Sequence, residues 1–184
     1  MQPSPQRRSV LKALVLAYPL VSGTLLLSPA QARLRKLPLA VLDAGEAADL
    51  EAVIEALVPG SAGAGAVHFI DYQLARPAAD SLLMLRYLGV PQPHADFYRG
   101  GLAALAQHSI DRYGKRPAAL PDPALEQLIA DLIADDTPVW AGPPASFLYF
   151  VWRSDGVDVT YGTEDGMVAL GMPYMAHIRP QQVW

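Results

Sequence analysis

The chain contains no cysteine. That absence excludes disulfides, covalent c-type haem attachment, iron–sulfur ligation and thiol catalysis by this polypeptide. A domain without disulfides is held by its own core or by a partner. Charged residues are scarce as well, at 17% of the chain, and beyond residue 32 acidic residues outnumber basic ones, 18 to 11. A nucleic-acid role is therefore not expected. Strand signals are few: only Val157 to Tyr161 alternates, and that run is short. Catalytic motifs are missing too. There is no Gly-x-Ser-x-Gly elbow. The glycines between Gly60 and Ala66 meet neither the Gly-x-Gly-x-x-Gly register nor a following Lys-Ser/Thr, so they read as a flexible turn between helices. His68 with Asp71, and His108 with Asp111, lie three apart on helix faces, but two ligands are too few for a metal. Asp155, Asp158, Glu164 and Asp165 lack the alternating oxygen pattern of a calcium loop. Nothing singles out a carboxylate pair for acid–base work. No catalytic, metal or cofactor-binding residue is assigned to this chain.

What is present begins at the N-terminus. Arg7-Arg8-Ser9-Val10-Leu11-Lys12 matches the twin-arginine export pattern, carried by Arg7, Arg8, Leu11 and Lys12. Val10 departs mildly from the usual Phe-Leu pair. A generic basic leader is the alternative. The twin-arginine translocase carries proteins already folded in the cytoplasm. From Ala13 to Ala32 no side chain is charged, and Ala13 to Leu27 is apolar. Pro19, Gly23 and Thr24 make it a poor permanent span, which needs about 20 mostly apolar residues. Ala30-Gln31-Ala32 is a small-x-small cleavage site, with Ala30 and Ala32 at its key positions. The expectation is a signal peptide over 1–32 and a mature domain over 33–184, with the fold starting at Leu34 or later. An uncleaved anchor is the alternative.

The mature part has 152 residues, enough for one domain with a substantial core. It holds 11 basic against 18 acidic residues, a net charge of −7. Asp43-Ala44-Gly45-Glu46 is a capping box opening a helix with Leu50, Val53, Ile54 and Leu57 on one face and Asp49, Glu51 and Glu55 elsewhere. Pro59-Gly60 ends it. A second helix is predicted over Ala66 to Ala75, and the pattern resumes from Ala79 to Leu88 after Pro77. A third spans about Ala95 to Tyr113, burying Tyr98, Leu102, Leu105 and Ile110. Asp122 caps the next, with Pro123 at its first position and a seam of Leu125, Leu128, Ile129, Leu132 and Ile133. Asp135 and Asp136 belong to the loop beyond, because a helix C-terminus disfavours anions. The last helix runs from about Pro144 to Arg153 and extends toward Tyr161. Gly162 to Trp184 reads as an irregular ordered tail. The architecture is all-α: one bundle-like domain.

Aromatic residues crowd the end of the chain. Of 15, eight lie from Trp140 onward, including all three tryptophans. They build a late core, a protein-binding face, or both. Trp152, Tyr161, Tyr174 and Trp184 are the candidate interface residues. Leu170 to Trp184 is expected to be partly exposed and apolar, as a split core would be.

One series of motifs runs through the whole mature part. Leu57-Val58-Pro59 is followed by Gly65-Ala66-Val67-His68-Phe69-Ile70-Asp71-Tyr72-Gln73-Leu74 and by Tyr98-Arg99-Gly100-Gly101-Leu102-Ala103-Ala104-Leu105. Tyr161-Gly162-Thr163, Leu170-Gly171-Met172-Pro173-Tyr174 and Trp184 close it. In this order, behind a twin-arginine leader, the chain resembles the gluconate 2-dehydrogenase subunit 3 family. The usual Gly-Gly-Asn near the tail is replaced by Gly162-Thr163-Glu164. The resemblance implies a non-catalytic small subunit that binds no cofactor. It would support maturation of a large flavoprotein of the glucose–methanol–choline (GMC) type, which holds FAD, and supply the export signal for both. A multi-haem cytochrome c subunit often joins the complex. The expected location is the periplasm. The competing class is an independent periplasmic helical domain with a small-ligand or hydrolytic site.

Overall fold

The computed structural model describes residues 15–20 and 23–172. Helix ends follow the local chemistry of the sequence. In α2 (Ala44–Leu57) the Asp43 carboxylate accepts from the Glu46 amide at 2.8 Å, and the Glu46 carboxylate accepts from the Asp43 amide at 2.9 Å. The predicted capping box is formed. The small-residue stretch after it is not a plain turn but a one-turn helix, α3 (Ser61–Ala64), set between Gly60 at φ +92° and Gly65 at φ +82°. Both glycines occupy left-handed backbone that a side chain would disfavour. Glu55 stabilises this turn by accepting from the Gly60 and Ala62 amides at 2.8 and 2.7 Å. Helix α4 (Ala66–Leu74) follows.

The expected helix over 79–88 is broken. It consists of a 3₁₀ turn (Ala78–Asp80) and a single turn, α5 (Met84–Tyr87). Distant side chains claim the amides that would have continued it. The Leu82 amide donates to Gln73 Oε1 at 2.9 Å and the Met84 amide to Asp155 Oδ1 at 2.7 Å, leaving Leu83 extended. Leu83 and Leu85 are buried, whereas Leu82, Tyr87 and Leu88 are exposed.

Helix α6 (His94–Tyr113) stops at Gly114. Helix α7 (Asp122–Ala134) begins one residue earlier than predicted, with Pro121 at the cap. Helix α8 runs over Ala145–Tyr161 and absorbs the Val157–Tyr161 alternation. The tail is not wholly irregular: α9 (Glu164–Ala169) is capped by Thr163, whose hydroxyl accepts from the Gly166 amide at 3.1 Å. Thr163 thus has a local role in this turn. Ile110 and Ile133 are 42% and 51% exposed, against expectation. Each sits one helical step beyond an inward residue, Ser109 and Leu132, and so turns about 100° toward solvent.

Central in the bundle is α8, which packs against α2, α3, α4, α5, α7 and α9. It contributes Leu148, Val151, Trp152 and Val159 to the core. Close approach to α6 depends on Gly101, where an added Cβ would lie 2.4 Å from Leu148 Cδ1. Leu148 is fully buried and has little room to swing aside. Gly101→Ala is expected to lower unfolding free energy by about 1–2 kcal/mol in urea titration, despite a helix-propensity gain of about 1 kcal/mol. Gly63→Ala, with open space around its Cβ, shows only the gain.

One departure from all-α lies upstream. Strands β1 (Leu16–Leu20) and β2 (Gly23–Leu27) form an antiparallel hairpin that pairs Leu16 with Leu27. A short apolar run cannot be assigned as strand or helix from periodicity alone. Helix α1 (Pro29–Leu34) follows. The expected boundary between residues 32 and 33 falls inside it. Among the described residues, no helix is long and apolar enough to cross a membrane.

Candidate functional site

Arg7, Arg8, Leu11 and Lys12 lie outside the described residues, as do Tyr174 and Trp184. Ala30 and Ala32 are both in α1, opened by a reciprocal box: the Gln31 amide donates to Ser28 Oγ at 3.2 Å and the Ser28 amide to Gln31 Oε1 at 3.0 Å. Ala30 is half-buried and Ala32 fully buried. Arg33 then ties α1 to α2 through two 3.0 Å bonds to Glu51.

The residues that looked most like chemistry in the sequence hold helices and loops together. Asp71 accepts from the amides of Ala40, Val41 and Leu42 at 2.7–2.9 Å, pinning the strap that leads into α2. Its neighbour His68 places Nε2 3.3 Å from the Leu37 carbonyl. Burial holds the His68 pKa below its ordinary value, so the ring is mainly neutral near pH 7. The His68/Asp71 pair therefore grips one strap. His108 turns away from Asp111, whose carboxylate accepts from Gln107 at 2.7 Å. It faces Asp131 on α7 at 3.3 Å, and Arg112 and Gln127 also donate to that carboxylate. Asp49, expected on the outer face of α2, is buried, accepting from Arg116 at 2.5 Å and the Ala118 amide at 3.0 Å.

Asp155 is the deepest of these carboxylates, with 0% exposure. It accepts from the Tyr98 hydroxyl and, at 2.7 Å, from the Met84 amide, joining α8, α6 and α5 at one point. Burial raises its pKa to about 7, against the opposing pull of those two donors. The Tyr98 phenol is pushed well above its ordinary range by burial and by the adjacent carboxylate. Sequence reasoning set Asp155 aside as part of a failed calcium loop. A charged residue on the inward face of α8 was the signal available. Among the described residues there is no group of three or more His, Asp or Glu able to hold a metal ion.

The expected interface residues separate. Trp152 is fully buried, with its ring 6.3 Å from that of Tyr98, so it is a core residue and not a surface contact. Tyr161 is half-buried and donates its hydroxyl to the Pro59 carbonyl at 3.1 Å, fastening the end of α8 to the α2–α3 corner. Leu170 and Met172 are each 49% exposed. Grooves among the described residues include two of moderate size. One, of about 460 Å³, lies between α2 and the Pro117–Ala119 turn and α7, with Glu55, Asp122 and Glu126 in its lining. The other, of about 300 Å³, includes Asp43, Glu46, Gln107 and Arg116.

The family model described as Gluconate 2-dehydrogenase subunit 3 matches residues 44–171, from the first residue of α2 to just beyond α9. No curated protein and no solved structure matches the chain.

Proposed function

Because the chain belongs to the gluconate 2-dehydrogenase subunit 3 family, we propose that it is the non-catalytic small subunit and export escort of a periplasmic flavin-dependent dehydrogenase. The family is that of a subunit of a dehydrogenase (oxidoreductase) complex. In the proposed arrangement the large partner is a GMC-type flavoprotein that holds FAD and oxidises a sugar or alcohol. A multi-haem cytochrome c subunit receives the electrons. This chain, with no cysteine, has no means of attaching such a haem covalently.

The observation that carries the reading is the family match joined to Arg7-Arg8 in one chain. An export route for folded proteins suits a partner whose flavin is inserted before it leaves the cytoplasm. The buried polar residues support it as well. Asp49, Asp71, Asp131 and Asp155 are engaged by backbone amides or by side chains of this chain, so their chemistry is spent on the fold.

Affinity capture of the tagged chain from periplasmic extract, followed by gel filtration, tests the proposal. The expected product is a stoichiometric complex with a large flavoprotein, recognised by flavin absorbance and by peptide sequence. A stable solitary monomer without flavoprotein refutes it.

A further inference from the structure

Several of the described apolar residues upstream of Arg33 are packed against the domain that follows them. Leu16 and Ala32 are fully buried and belong to one core cluster with Phe69 and Ile70 of α4. The Ala17 amide donates to the Tyr72 hydroxyl at 3.1 Å, and the ring of Tyr18 lies 6.0 Å from that of Tyr72. The first turn of α1 rests directly on the α3–α4 junction. A Cβ at Gly65 would lie 2.3 Å from the carbonyl carbon and oxygen of Pro29, so only glycine admits this approach. The helix also packs against α3 and α4.

This packing bears on the Ala30-Gln31-Ala32 site. Peptidases act on locally unfolded, accessible chain, and cleavage of a structured segment is slowed by the cost of opening it. Here the site is helical, closed by the Ser28–Gln31 box, with Ala32 at 0% exposure. We propose that the leader strands Leu16–Leu20 and Gly23–Leu27 dock on α4 of their own folded domain, and that docking keeps the cleavage site shut until the leader is drawn off. The name "leader" rests on the export reading above; the docking does not. Cleavage by a signal peptidase adds water across the Ala32–Arg33 amide, leaving the Ala32 carboxylate and the Arg33 α-ammonium. Nothing is oxidised or reduced in that step.

The test uses the purified full-length chain and two substitutions outside the leader, so that the sequence offered to the peptidase is unchanged. Tyr72→Ala removes the ring beside Tyr18 and the hydroxyl that accepts from Ala17. Tyr72→Phe removes the hydroxyl alone. In hydrogen exchange read by mass spectrometry, segment 25–34 of the unsubstituted chain is expected to exchange at least roughly tenfold slower than the same peptide free in solution. Tyr72→Ala should remove that protection and speed processing by purified signal peptidase by at least about tenfold. Tyr72→Phe should speed processing by about fivefold, the worth of one hydrogen bond. Amides of α6 serve as the control for global folding. Free-peptide exchange rates in the unsubstituted chain overturn the docking. Equal processing of all three chains overturns the shielding. Protection in a chain that is never exported leaves the docking standing and refutes the export reading instead.

Discussion

A chain carrying Arg7→Lys and Arg8→Lys is expected to hold two proteins in the cytoplasm: itself and its proposed flavoprotein partner. The substitution keeps both positive charges, so any export route that needs only a basic leader survives it. What it removes is the planar guanidinium fork, which pairs carboxylates in a bidentate way that an ammonium does not reproduce. A translocase that reads two adjacent arginines therefore loses its recognition element, while a generic secretory route does not. Dehydrogenase activity in the periplasmic fraction should fall at least roughly tenfold, with flavin-loaded activity appearing in the cytoplasm. Both proteins are followed by fractionation and immunoblotting. Export of the flavoprotein in the presence of the doubly substituted chain defeats the escort proposal, whatever happens to the chain itself. In the proposed arrangement the cofactor belongs to the partner, so the fate of the partner is the more telling readout.

A large effect on stability is expected at Asp155. Its pKa is raised from 3.8 in the unfolded chain to about 7 in the folded one. Between those values the native state binds more protons than the unfolded state, and stability falls as pH rises. The contribution is fully present below about pH 4 and is lost as pH passes through about 7. Over that interval the group removes roughly 4 kcal/mol of unfolding free energy. Nearby Asp158 contributes to the upward shift. Asp155→Asn keeps the side chain neutral at every pH. It retains an acceptor for the Met84 amide but sets an amide donor against the Tyr98 hydroxyl, at a cost of about 1 kcal/mol. The two stability curves should therefore cross: the Asn variant is weaker near pH 4 and stronger near pH 8. Urea titrations at unit pH steps measure this. Parallel curves would mean that Asp155 does not titrate with folding.

Much of the bundle was legible because its signals are local. The Asp43/Glu46 box, Gly114 at the end of α6 and the Leu125–Leu128–Ile129–Leu132 seam of α7 involve residues no more than a few positions apart. Helix geometry turns that spacing directly into structure. Failures came where a distant group intervened. The 79–88 segment has the composition of a helix, yet Gln73 and Asp155 hold two of its amides and extend it at Leu83. Trp152 looked like an interface anchor by residue type, but its position on α8 points it at Tyr98. The motif Tyr98-x-x-Gly101 acquired its meaning only from α8: Tyr98 meets Asp155, and Gly101 admits Leu148.

The sequence by itself determined the helical class, the placement of most helix ends, the exclusion of thiol and covalent-haem chemistry, and the family resemblance. Each of these is a property of residue type or of near neighbours. Tertiary structure alone decided what the buried aspartates meet, because an inward position on α8 can flag Asp155 but does not name its partners. The groups that engage Asp49 and Asp155 stand some 57 to 71 residues away in the chain. It also decided that Leu16–Leu20 and Gly23–Leu27 pair as strands with Ala17 against Tyr72, since such apolar stretches are equally compatible with strand and helix until another surface buries them.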